Sequence, residues 1–105
     1  MKPIYKNATY IFDIAITINK IPVDIRNDII TVYISKIATL TPIITKVAEV
    51  TTNGITGVAV VELLTTETNL LTAGKYRLQA LWELDGTSRK FVVVDTTVEV
   101  KKRIV

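Results

Sequence analysis

The chain contains no cysteine and no histidine. The first absence removes disulfides, thiolate metal centres and a cysteine nucleophile. The second removes the commonest general base near neutral pH and the commonest transition-metal ligand. A serine triad of the familiar kind goes with it, because Ser35 and Ser88, the only serines, have no imidazole to activate them. Glycine is sparse, and Gly54, Gly57, Gly74 and Gly86 form neither a phosphate-cradling loop nor a dinucleotide fingerprint. No segment approaches the ~20 apolar residues of a membrane span. The first seven residues lack the apolar stretch and small-residue cleavage site of a secretory signal. No enzyme activity, cofactor, metal or membrane contact is therefore expected.

Charge is also modest, 13 basic against 10 acidic residues over 105. Part of the excess lies in Lys101-Lys102-Arg103, which reads as a solvated end. Lys75, Arg77 and Gln79 make a short polar stripe without interleaved aromatics, so nucleic acid is not expected as a partner.

What is abundant is β-branched: 15 Ile, 13 Val and 16 Thr, 44 of the 105 residues. Such side chains are stiff at χ1 and fit a pleated surface better than a helix. The expected class is all-β, in one domain over residues 1–105 with its core at about 9–101.

Alternation places the strands. Residues 9–18 set Phe12, Ile14, Ile16 and Ile18 on one face. Asn19 to Pro22 breaks that run, and Arg26-Asn27-Asp28 is a turn cluster. Ile29–Lys36 is a second strand, with Ile30, Val32 and Ile34 opposite Thr31, Tyr33 and Ser35. Residues 43–50 and 57–64 read as a hairpin around Asn53-Gly54, with Ala59, Val61 and Leu63 inward. The stretch 65–72 is either one helical turn or an irregular crossover. Strand 75–84 carries Tyr76, Leu78, Ala80, Trp82 and Leu84 on one face, and Asp85-Gly86 turns it into a last strand, 89–101. There Val92, Val94, Thr96, Val98 and Val100 share a face opposite Phe91, Val93, Asp95 and Thr97.

Gly74-Lys75-Tyr76 is the sequence form of a tyrosine corner, in which the phenol ties a crossing loop to its own backbone. With six or seven strands it points to a Greek-key β-sandwich. Trp82 shares the Tyr76 face and reads as core.

The carboxylates read as structural. Asp13, Glu49, Glu62 and Asp95 occupy solvent-facing strand positions, where cross-strand salt bridges are expected. Asp24 and Asp28 flank a turn and read as turn caps, with oxygen ligation of Ca²⁺ as the other use of such residues.

Segments 29–34, 58–64 and 91–94 are apolar on both faces, whereas one face of each sheet in a free-standing sandwich is wet. Ile29, Thr31, Tyr33, Phe91 and Val93 are accordingly the candidate protein-contact residues, with strand addition at an exposed edge as a mode of contact.

Two further blocks carry a resemblance. Ile18-Asn19-Lys20-Ile21-Pro22-Val23-Asp24-Ile25 leads into Ile29–Lys36, and Gly74-Lys75-Tyr76 is followed by Asp85-Gly86, Arg89-Lys90-Phe91 and Thr97-Val98-Glu99-Val100. Over residues 9–101 this resembles the immunoglobulin-like N-terminal domain of phage baseplate upper proteins and similar small phage virion and tail domains. The resemblance implies an immunoglobulin-like Greek-key β-sandwich of about seven antiparallel strands. It also implies a non-enzymatic tail, baseplate or head component, made in the host cytoplasm and resident in the virion. Its partners would be copies of itself, as a homo-oligomer, and other virion structural proteins. The other reading is an accessory module that binds a cell-surface glycan, for which Tyr5, Tyr10 and Tyr33 are the candidate aromatics.

Overall fold

Alternating apolar residues place the strands, and the backbone pairings decide which of them become neighbours. The computed structural model describes residues 1–39, 41–50, 55–86 and 88–103. The protein is all-β. Its elements are β1 (Ile4–Tyr5), β2 (Tyr10–Ala15), β3 (Thr17–Ile18), β4 (Ile21–Pro22), β5 (Ile29–Lys36), β6 (Ile44–Val47), β7 (Val58–Leu63), a helical turn α1 (Thr65–Thr68), β8 (Gly74–Glu83) and β9 (Lys90–Lys101). They form a five-stranded sheet of order β1-β9-β8-β5-β6, the pair β2-β7 and the small hairpin β3-β4.

Ile30, Val32 and Ile34 of β5 and Tyr76, Leu78, Ala80 and Trp82 of β8 are buried. They join Ile14 of β2 and Ala59, Val61 and Leu63 of β7 in one hydrophobic cluster. The inward faces expected for β5, β7 and β8 are therefore present. Burying a Leu or Ile of this kind contributes roughly 1.5–3 kcal/mol.

Four expectations are corrected. The run 9–18 is not one strand. The Ile16 amide donates to Gly57 O at 2.8 Å, and the Ile16 carbonyl accepts from Val23 N at 3.1 Å. These bonds turn the chain out of β2 into the β3–β4 hairpin. Its two loop residues, Asn19 and Lys20, have φ of 52° and 68°, the left-handed pair a type I′ turn requires. Ile18 consequently lies exposed rather than beside Ile14.

Residues 43–50 and 57–64 pair as the expected hairpin only at Glu49↔Val60, through backbone bonds of 2.8 and 2.9 Å. β6 is hydrogen-bonded to β5, and β7 pairs with β2 from Tyr10↔Leu63 to Ala15↔Val58. The chain crosses between sheets after β6: Ala48 N donates to Ile30 O, whereas Glu49 bridges Val60. The Asn53-Gly54 turn lies outside the described residues.

The last strand changes face along its length. Ala80 is opposite Val94 but Leu81 is opposite Val92, so Val93 is the extra residue of a β-bulge. Beyond it Phe91 joins the Trp82 face and Val92 turns outward.

Finally, the N-terminal segment is part of the core, and not every pairing is antiparallel. Ile4 is fully buried, and β1 runs parallel to β9 with Ile4↔Val100. The uncertain stretch after β7 contains the single turn α1. Thr68 Oγ1 of that turn donates to Ala8 O at 3.0 Å, tying it to the N-terminal segment.

Candidate functional site

The outer face of the five-stranded sheet is built by register. Thr31 lies opposite Val47 on one side and Leu81 on the other, and Leu81 lies opposite Val92. Four strands thus contribute one transverse row, Val47–Thr31–Leu81–Val92, with Ile29 on the next row of β5. Val47 is 62% exposed, Val92 58% and Ile29 52%. Thr31 faces outward yet is buried, at 7%, among these neighbours. Single exposed apolar side chains are ordinary, whereas these form a contiguous row across the sheet.

The row has polar margins. On one side Tyr33, Gln79 and Asp95 lie opposite one another, and Asp95 receives Arg77 Nε and Nη2 at 2.9 and 2.8 Å. That fork holds the Asp95 carboxyl below the usual range and raises Arg77. Tyr33 shares this face with Gln79, so the polar stripe does carry an aromatic. On the other side Ile29, Glu83 and Lys90 align. An apolar centre with a polar rim is the anatomy of a protein-contact surface.

The structure divides the candidate contact residues. Ile29, Thr31 and Tyr33 share this outer face. Phe91 and Val93 do not join them, because the bulge carries them to the mouth of a groove of about 500 Å³ also lined by Ile16, Ile18 and Trp82. Phe91 meets Trp82 with ring centroids 5.6 Å apart and planes tilted by 38°. Trp82 itself is buried, as expected for core. Its indole N–H donates to Asp28 Oδ2 at 2.9 Å, and Asp28 Oδ1 accepts from Asp85 N.

The corner at Gly74 and Tyr76 has the anticipated geometry. The Tyr76 hydroxyl accepts from Thr72 N at 3.0 Å and lies 3.0 Å from Thr72 Oγ1. Gly74, at φ 147°, takes the bend a side chain would resist. Its role is to hold the crossing chain against β8.

Other expectations fare unevenly. Asp24 caps the Arg26 amide and grips its guanidinium, which lowers the Asp24 pKa. With Asp28 also spent on protein donors, both act as turn anchors. Asp95 forms its salt bridge, but Asp13, Glu49 and Glu62 make none among the described residues. They surround Val60 and Ile11 on the outer face of β2-β7, whose neighbours are apolar or acidic. Tyr5, Tyr10 and Tyr33 stand on β1, β2 and β5 and make no ring contact with one another among the described residues. Tyr10 instead donates to Lys2 O at 2.6 Å and meets Phe12, and burial raises its pKa.

Sequence reasoning missed Val47, Leu81 and Val92. Leu81 was detectable, as the one apolar residue among Lys75, Arg77, Gln79 and Glu83 on the polar face of its strand. Val47 was hidden because Lys46 occupies the inward phase, reaching Glu67 at the sheet margin. Val92 was hidden by the bulge.

In comparison with known proteins, no family model and no curated protein matches the chain.

Proposed function

We propose that this chain is a non-enzymatic structural subunit of a phage particle, a tail, baseplate or head component that works by self-association and by contact with other virion proteins. Its fold in this reading is an immunoglobulin-like Greek-key sandwich. The observation that carries the reading is the row Val47–Thr31–Leu81–Val92, an apolar band on the outside of a sheet that already has a full core on its other face. In an isolated domain Val47 and Val92 of this band stay largely in water, and burying them against another chain gains roughly 25 cal/mol per Å² of apolar surface. The resemblance of the Pro22-Val23-Asp24 and Gly74-Lys75-Tyr76 blocks to phage baseplate domains supplies the setting.

Light scattering on the purified chain over a wide concentration range tests the self-association. A discrete oligomer is expected, and Val47→Asp, which places a charge on an exposed position of an edge strand, should shift it toward monomer without unfolding it. A chain that stays monomeric at every concentration contradicts the reading. The setting has its own test: the protein should co-sediment with purified particles through a density gradient, and recovery only from the unassembled fraction counts against a virion role.

A further inference from the structure

Strand β9 is an open edge for most of its length. One side is paired with β8 from Gly74↔Val100 to Glu83↔Lys90. On the other side β1 covers only Val100 and Lys101. Among the described residues no pairing joins Lys90–Val98 to another strand on that side. Unpaired ladder groups of this kind are a template for another strand. Proteins blunt such edges with proline, charge or a β-bulge. Phe91-Val92-Val93-Val94 has no proline and no charge, and its one blunting device is the bulge at Val93.

We propose that this edge pairs with the same edge of a second copy, antiparallel about a two-fold axis through Asp95, joining two five-stranded sheets into one of ten. The proposal rests on the self-association reading and specifies the contact.

Register and charge select the occupant. Residues opposite each other across antiparallel strands must share a face. With the axis at Asp95, Val94 lies opposite Thr96 of the second copy. Past the bulge residue Val93, Val92 meets Thr97, Phe91 meets Val98 and Lys90 meets Glu99. Each pair matches in face, because the bulge that reverses the face along β9 is skipped in the partner as it is skipped by β8. Lys90 and Glu99 bracket the free stretch Lys90–Val98, so this register uses all of it and forms two opposite-charge pairs. An axis at Thr96 would need Val100 and Lys101, which β1 already occupies, and would set Lys90 against Lys101. An axis at Val94 would leave Val98 and Glu99 unpaired. Asp95 meets its own copy on the axis, and each of these carboxylates is already neutralised by its Arg77 fork. The pairing also covers the exposed Phe91 ring. These features all point to a second copy as the occupant.

Sedimentation of the full chain and of three charge variants tests the register. The unsubstituted chain should dimerise. Lys90→Glu or Glu99→Lys should each weaken the dimer by about tenfold, as like charges face each other twice. The double variant should recover most of that loss. Because Lys90→Glu also faces Glu83 within its own sheet, recovery in the double variant isolates the contact between copies. Asp95→Cys gives a chain with a single thiol, since the natural sequence has none. Opposed strand residues lie about 4.5–5.5 Å apart at Cα, within disulfide reach. Oxidation should therefore yield a covalent dimer, and Glu62→Cys, on the outer face of β7, should not. Self-association that ignores both charge reversals and gives no Asp95→Cys dimer, while Val47→Asp dissolves it, overturns the edge pairing and leaves the assembly reading standing. A chain that is monomeric throughout overturns both.

Discussion

The indole of Trp82 and the carboxylate of Asp28 meet at 2.9 Å across 54 residues of sequence. The second oxygen of Asp28 holds the Asp85 amide at the same distance. One half-buried side chain therefore fixes the loop before β5, the end of β8 and the turn into β9, which together frame the groove beneath Phe91. Asp28→Ala leaves two donors without their partner, one of them on a buried ring. A loss of about 1–3 kcal/mol is expected in urea unfolding, with a red shift of tryptophan fluorescence as water reaches the indole. An unchanged spectrum and midpoint would show that the contact holds nothing in place.

Tyr76→Phe keeps the buried ring and deletes only the hydroxyl. The Thr72 amide loses its acceptor, and Thr72 Oγ1 loses its neighbour. The expected cost is about 1 kcal/mol. Tyr76→Ala, which also empties core volume, should cost about 3–5 kcal/mol by analogy with other aromatic truncations. Equal losses in the two variants would mean that the corner bond contributes nothing separable from packing.

Among the described residues Gly57 is the least replaceable glycine. It has φ 81°, and a Cβ there would sit 2.4 Å from the Ile16 carbonyl oxygen. That carbonyl is held by Val23 N, and Ile16 N is bonded to Gly57 O, so the backbone has little room to yield. Gly57→Ala should therefore cost more than the roughly 1–2 kcal/mol of a left-handed alanine alone. Gly86→Ala, at φ 70° with nothing within 4 Å of its Cβ, should cost only that conformational term. Thermal denaturation of both variants orders them, and the opposite order would refute the close approach at Ile16.

Glu67 connects α1 to the sheet margin. Burial raises its pKa, but the Leu64 amide and Lys46 outweigh that and hold it below its ordinary 4.5. Glu67 Oε1 lies 3.0 Å from Leu64 N and 2.8 Å from Lys46 Nζ. A folded-state pKa below the unfolded one means that the stabilisation is fully present above pH 4.5 and is lost as the pH falls through the lower folded value. Glu67→Gln should accordingly remove part of the acid-induced fall in melting temperature and cost about 1 kcal/mol or less at neutral pH. If the two pH profiles run parallel below pH 5, the pair does not contribute to the acid limb.

The proposed contact surfaces were legible in unequal parts. Ile29, Thr31 and Tyr33 could be placed on one face because a strand of unbroken alternation has only two faces. Phe91 and Val93 could not, because the reading assumed the same alternation through residues 91–100 and one extra residue reverses every face beyond it. The row that includes Val47, Leu81 and Val92 spans four strands, and no local pattern states which strands become neighbours.

From the sequence alone came the class and the inventory. Thr, Ile and Val at 44 of 105 positions make strands the favoured local state. The alternation of β5, β7 and β8 assigned their buried faces, and Gly74 with Tyr76 marked the corner. These are local properties, set by side-chain shape and period. Tertiary structure alone decided that β6 joins β5 rather than β7, that β1 adds in parallel beside β9, that the chain crosses between sheets at Glu49, and that the Val93 bulge turns Phe91 toward Trp82. Those outcomes depend on competition among strands of similar composition for the same hydrogen-bonding edges. That competition is resolved by the packing of the whole core and not by any one segment.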